Sequence, residues 1–430
     1  MAPIDGVAYG LLFQDPGHDS LFVRRLSSGQ SCATQLVHSY TTDGLLVRKT
    51  LRHSDRAVGG TDRAVQEFDR DIRMARLVLD CAAAVGHPLR VPRLLSASST
   101  PGGGIVSHWD FCNGGTLRAF LDRCAQGPAV LPPGLALHLV LQILETLDFM
   151  YTGMKSSGLV YHRDLHSRNI MLHFPSGSPI PDVYLIDFGR AVQVRSGTGP
   201  EDDPFTWWDI GCVLGIIRQD LAALTRPRTH RSTGHMARHF NKKRPSDSKH
   251  DKHPLRAAYH MLDDLHHAFA NNIEAAIKDQ GRRRREAKKS RLPIPPEPVA
   301  MPPPPSLKPV LSFLRRAVKK HFPRHPGAPD AAFNDEFREL VLIPARERAE
   351  AVNGMLPRLC HGVGNLLRTP ENDEVKGPWD VAEIDGSDPG FAIVNVLPGL
   401  VGAYSRLSTL DVHVEDEDSD EDSEEENQIW

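Results

Sequence analysis

Short apolar runs separated by polar turns fill the first hundred residues. Leu21-Phe22-Val23 and Thr34-Gln35-Leu36-Val37 are strand-length segments around a turn, and Gly44-Leu45-Leu46-Val47-Arg48-Lys49 is a third, opened by Asp43-Gly44. The period then changes. Between Val65 and Leu79 the apolar residues Phe68, Ile72, Ala75, Leu77 and Val78 recur at a spacing that predicts an amphipathic helix. Val91–Ala97 and Gly104–Trp109 predict a fourth and a fifth strand. From there the pattern is helical, with Leu139, Ile143, Leu147 and Met150 along Leu135 to Tyr151. Leu255, Tyr259, Leu262, Leu265, Phe269, Ile273 and Ile277 mark a further helix. A small sheet followed by long helices is an α+β pattern.

Chemistry is concentrated between these helices. Val160 to Leu172 reads VYHRDLHSRNIML, a polar turn between apolar flanks that presents Asp164 and Asn169 five positions apart. Tyr184 to Ala191, YLIDFGRA, adds a second carboxylate, Asp187, on a Phe-Gly turn. Phosphoryl transfer needs such oxygen-bearing side chains. One carboxylate accepts the proton of the attacking hydroxyl, and a carboxylate with an amide holds the magnesium that bridges nucleotide phosphates.

His162-Arg163-Asp164 to Asn169, followed by Asp187-Phe188-Gly189, resembles the catalytic and metal-binding loops of eukaryotic-type protein kinases. The resemblance implies an α+β, bilobal protein-kinase-like fold over residues 18–280. A small antiparallel N-lobe (18–109) would be joined by a hinge (110–116) to a mostly helical C-lobe (117–280). It implies ATP and Mg2+ as cofactors. Asp164 becomes the proton acceptor, and Asn169 and Asp187 the metal ligands. Lys49 falls where the family places the lysine that contacts the α- and β-phosphates. Its bracing acid is Asp71, one methylene shorter than the usual glutamate, or Glu67 one helical turn earlier. Asp110 and Cys112 fall in the segment whose backbone recognises adenine, and Trp109 falls where a side chain guards the pocket behind it.

Departures from the family pattern bear on activity. The turn Leu26 to Ala33 offers only Gly29 to a phosphate-covering loop that wants several glycines. His166 stands where serine/threonine kinases carry lysine, and Arg168 matches an arginine of tyrosine-kinase loops; Arg168 could supply a cation beside the transferring phosphate, while His166 is charged only partially near neutrality. Only about twenty residues separate Asp187 from the next helix start at Trp207-Trp208-Asp209-Ile210-Gly211. Thr206 occupies an expected aspartate's place, and no Ala-Pro-Glu anchor follows. Ser196 and Thr198 lie in that short segment. The truncation resembles small-molecule kinases, atypical protein kinases and the divergent kinase-like proteins of filamentous fungi. The leading expectation from the resemblance is a divergent serine/threonine protein kinase; the alternatives are a pseudokinase acting as an interaction scaffold or, given the short segment without the anchor, a small-molecule kinase.

Composition adds the appendages. Arg226–His253 is basic, with irregularly spaced histidines that argue against a metal site, and reads as an insertion. Residues 281–309 combine Arg282-Arg283-Arg284-Arg285 and Lys288-Lys289 with a proline-rich stretch. They read as a linker that could carry a nuclear-import signal or meet an aromatic-grooved module. Without interleaved aromatic residues it argues against nucleic acid. A helical extension is expected over 310–410, then a disordered acidic tail, 411–430, able to fold back on the basic segments. The formal charge is −3, and residues 415–426 hold ten acids and no base, so the remainder carries about +7. Six scattered cysteines without a CxxC pair or secretory leader point to a cytoplasmic or nuclear setting. No apolar run is expected to span a bilayer.

Overall fold

The computed structural model describes residues 12–15, 18–27, 32–39, 42, 44–51, 61–88, 90–99, 105–127, 129–154, 158–176, 178–194, 208–225, 254–289, 306–321 and 337–354. Its architecture is α+β, an antiparallel sheet followed by many helices. Strands β1 (Leu12–Asp15), β2 (His18–Ser27), β3 (Cys32–Ser39), β4 (Gly44–Leu51), β5 (Leu94–Ser99) and β6 (Ile105–Asp110) form a six-stranded sheet in the order β1-β2-β3-β4-β6-β5. The sequence pattern anticipated five of them. β1 is additional, and pairs Leu12 with Leu21 and Asp15 with His18.

Register in the centre of this sheet decides where Lys49 points. In β4 the buried Leu46 and Arg48 alternate with the half-buried Val47 and Lys49, as strand geometry requires. Lys49 lies opposite Thr34 of β3 and Ser107 of β6, and Val47 lies opposite Trp109. Helix α1 (Thr61–Val85) covers the sheet with the buried Phe68, Ile72, Ala75 and Val78.

Downstream, β7 (Gly115–Thr116), β9 (Ile170–His173) and β10 (Asp182–Leu185) make a three-stranded sheet, and β8 (Leu159–Tyr161) pairs with β11 (Val192–Val194). Helix α2 (Leu117–Gln126) starts at Thr116, whose Oγ1 caps the Ala119 amide at 3.1 Å. Helix α3 (Pro133–Asp148) is the core of this half. Leu135, Leu139, Val140, Ile143, Leu144 and Leu147 are all fully buried. With the π-helical turn Phe149–Gly153, α3 is long and apolar enough to cross a membrane by length and composition, contrary to the sequence expectation; 83% of that window is buried inside the protein.

Helix α4 (Trp208–Gly215) passes through a π turn, Ile216–Leu221, into α5 (Ala222–Leu224). The predicted Leu255 to Ile277 helix is longer, since α6 (Pro254–Lys289) carries the four-arginine run in helical conformation. Its first half contributes Leu255, Leu262 and Phe269 to the core. Helix α7 (Lys308–His321) packs Val310, Leu311 and Leu314 into the same core and pairs Arg315 with Glu145 of α3 at 3.0 Å. Phe337, Val341 and Leu342 follow before α8 (Ile343–Gly354). The 226–253 insertion and the acidic tail lie outside the described residues.

Candidate functional site

Lys49 leaves β4 toward α1, where its Nζ meets Asp71 Oδ2 at 2.8 Å. Only 16% of the Lys49 side chain and 8% of the Asp71 side chain reach solvent, so the pair is largely withdrawn from water. Burial works against the ammonium, yet Asp71 and then Asp187 overcome it and hold its pKa above the ordinary lysine value. The Trp109 ring lies alongside, its centroid 5.5 Å from Nζ, and its own Nε1 donates to Ser107 Oγ at 2.8 Å. Of the two acids open in the sequence, the structure places Asp71 on Lys49. Glu67, one turn earlier, accepts Arg63 Nε at 2.9 Å instead.

Asp71 has a second partner. Its Oδ1 accepts the Phe188 backbone N–H at 2.7 Å, so a single short carboxylate joins strand, helix and the Asp187-Phe188-Gly189 turn. Phe188 is buried beside the His162 ring, centroids 4.8 Å apart, and His162 Nε2 meets the Ile186 carbonyl at 2.9 Å. Arg70 Nη1 donates to the Gly189 carbonyl at 3.2 Å. A Cβ on Gly189 would lie 3.2 Å from the Glu67 carbonyl oxygen, tighter than α1 and this turn comfortably allow.

Asp187 itself is exposed, and its backbone takes φ 66°, a left-handed conformation that a short acid tolerates better than most residues. Asn169 is buried at the end of a 3-10 turn, Ser167–Asn169. Its Nδ2 donates to the Asp164 carbonyl at 2.9 Å and to Asp164 Oδ2 at 3.3 Å, which leaves its amide oxygen for another partner. The Asn169 carbonyl accepts the Ile186 amide at 3.0 Å, holding the Asn169 and Asp187 segments side by side. Among the described residues no group of three or more His, Cys, Asp and Glu side chains converges as a metal site. One carboxylate and one amide suit Mg2+, which usually takes only one or two protein ligands and completes its octahedron with phosphate and water.

Around Asp164, His166 Nε2 stands 4.0 Å from Oδ1 and is half-exposed. Burial, only partly offset by Asp164, lowers its pKa, which favours the neutral imidazole near pH 7. Arg168 is exposed on the 3-10 turn. Arg190 approaches this carboxylate instead, its Nη1 3.5 Å from Asp164 Oδ1. Sequence reasoning missed Arg190, although it directly follows the Phe-Gly turn.

Asp209 was also missed as a site residue. It is 1% exposed, and its Oδ1 accepts the Arg163 amide at 2.7 Å. Its Oδ2 accepts the His162 amide at 2.8 Å and the Tyr151 hydroxyl at 3.0 Å. This explains how the loop tolerates Arg163 at φ 63°. The visible signal was an acid inside an otherwise apolar helix start. Thr206, which the sequence pattern set in the aspartate's place, lies outside the described residues, as do Gly29, Ser196 and Thr198.

Asp110 and Cys112 have partners and burial of their own. Arg93 grips the Asp110 carboxylate through Nε at 2.7 Å and Nη2 at 3.2 Å, while the Asp110 amide donates to the Arg93 carbonyl at 3.0 Å. Cys112 is buried, and burial, reinforced by Asp110, pushes its thiol well above the usual range.

No protein-family model matches the chain. Over 156 residues it is 26% identical to "Wall-associated receptor kinase-like 14" of Arabidopsis thaliana. That stretch is 36% of this chain and 19% of the plant protein, so the similarity is partial and kinase-like in character.

Proposed function

We propose that the chain has a divergent, bilobal protein-kinase-like fold and acts as an ATP- and Mg2+-dependent phosphotransferase. The observation that carries the reading is the bifurcated carboxylate of Asp71. It bonds Lys49 and the Phe188 amide at once, which ties a cation for nucleotide phosphates to the turn bearing Asp187.

In this reading Lys49 contacts the α- and β-phosphates, and Asn169 and Asp187 hold Mg2+. Held there, Mg2+ would supply neutralisation of the phosphates' negative charge. Asp164 accepts the proton of an acceptor hydroxyl as its oxygen bonds to the γ-phosphorus and the bond from phosphorus to the ADP oxygen breaks. Asn169 steadies Asp164 through its Nδ2 donations. The backbone amides of Asp110 to Cys112 would serve adenine, and Gly29 would lie in the loop over the phosphates. Arg190, rather than His166, stands ready as the cation beside the reacting groups, with Arg168 as a second, exposed one. The acceptor is a protein serine or threonine or a small-molecule alcohol.

Nucleotide-dependent thermal stabilisation tests the binding half of the proposal. ATP with Mg2+ at a hundredfold excess over its Kd stabilises by about 2.7 kcal/mol. The shift should require Mg2+ and disappear in Lys49→Met. No shift at millimolar Mg2+ and ATP would favour the pseudokinase alternative.

A further inference from the structure

A cavity of about 480 Å3 lies beside the turn that carries Asp187, lined by Arg63, Gln66, Glu67, Arg70, Arg163 and Arg190. Four of its six lining residues are arginines and one is an acid, Glu67; Asp164 stands 3.5 Å from the Arg190 guanidinium. The arginines come from three separate segments, namely α1, the 160–172 loop and the turn after Phe188, so the fold assembles them and no local sequence run does. Glu67 is already engaged by Arg63 at 2.9 Å, and Arg70 gives one N–H to the Gly189 carbonyl. A guanidinium carries five donors in a planar fork that matches carboxylate oxygens. Gathering four like charges around one concavity costs Coulomb energy that an anionic occupant offsets.

We infer that this arginine-lined cavity binds the chain's own acidic tail, residues 415–426. Those twelve residues hold ten acids and no base. Sixty residues separate Gly354 from Glu415, a contour of roughly 200 Å when extended, so the cavity is within reach. The competing basic stretches are the 226–253 segment and α6; in α6 Arg282 and Arg283 both pair with Asp279, so part of its charge is already met. Arg190 belongs to the cavity and also reaches Asp164, so a tail carboxylate competes with Asp164 for that guanidinium. The inference stands apart from phosphotransfer, because its readout is contact.

The full-length chain with Ser419→p-benzoylphenylalanine, irradiated at low ionic strength, tests this. Mass spectrometry should find intramolecular cross-links on peptides within residues 61–73 or 160–190. Their yield should fall about fivefold or more in Arg63→Glu/Arg70→Glu, and likewise at about 1 M salt, where the Debye length is near 3 Å. Neutralising Arg282 to Arg285 with glutamine should leave it unchanged. Arg63→Glu alone, at a site 77% exposed, should show the same direction without a folding defect. Cross-links on residues 226–253 or 280–289, cross-linked dimers in place of monomers, a yield indifferent to the α1 reversals, or no cross-link at all would each overturn the assignment.

Discussion

The Asp209 carboxylate holds Arg163 in place, accepting its backbone N–H at 2.7 Å while Arg163 sits at φ 63°. The same carboxylate takes the His162 amide and the Tyr151 hydroxyl. A buried acid with three donors cannot be removed without leaving those donors unsatisfied. Asp209→Ala should therefore destabilise by roughly 2–4 kcal/mol, read as a lower urea midpoint at unchanged slope. Asp209→Asn keeps the shape and should cost less. A midpoint within experimental scatter of wild type would contradict the anchoring role.

Lys49 and Asp71 make a largely buried pair, so truncating one partner strands the other. Asp71→Ala should cost on the order of 3–5 kcal/mol. Glu67→Ala, which loses the pair with the exposed Arg63 and one acid of the arginine-lined cavity, should cost no more than about 1 kcal/mol. Denaturation of the two variants side by side decides whether Asp71 is the brace; equal losses would argue that α1 sits differently against the sheet.

Much of this was legible before any coordinates. Period-two runs marked five of the six strands of the main sheet, and the sequence of the 160–172 and 184–191 loops named Asp164, Asn169 and Asp187. The choice between Asp71 and Glu67 was not legible, because residues one turn apart share a helix face and only the angle of α1 to the sheet separates them. Arg190 was overlooked because its partner, Asp164, is distant in sequence. The membrane-length apolar stretch at Pro133–Gly153 went unnoticed because its polar residues, such as Gln142 and Thr146, broke the run. Both are in fact buried and hydrogen-bonded, Gln142 to Asp182 Oδ1 at 2.8 Å and Thr146 to the Gln142 carbonyl at 3.0 Å.

Asp182 gives the fold an acid-sensitive point. Burial alone would raise its carboxyl, but Arg90 at 2.9 Å and Gln142 at 2.8 Å outweigh that and hold it below the ordinary aspartate range. A carboxyl depressed in the folded state stabilises fully above its unfolded value, and that stability is lost as pH falls through the folded one. As pH falls below about 4, the unfolded aspartate value, the thermal midpoint should drop less steeply in Asp182→Asn than in wild type. Parallel slopes would show that Arg90 contributes nothing to acid stability.

Gly114 is required by a close approach. A Cβ there would stand 2.8 Å from the Leu172 carbonyl oxygen, which already accepts the Gly114 amide at 2.9 Å. Gly114→Ala should push β7 from β9 and cost roughly 1–3 kcal/mol, seen as a lower melting temperature. An unchanged melting temperature would mean that the segment after Asp110 yields freely.

The central claim is phosphotransfer, and transfer of label from γ-labelled ATP tests it most directly. Purified full-length protein with Mg2+ is incubated with a generic protein substrate and, separately, with a panel of small alcohols, beside Asp164→Asn and Asp187→Asn. The account predicts labelled protein or labelled alcohol with wild type, and loss of about a hundredfold or more in each variant. Absence of label in every wild-type reaction, or label that persists undiminished in Asp187→Asn, would contradict it.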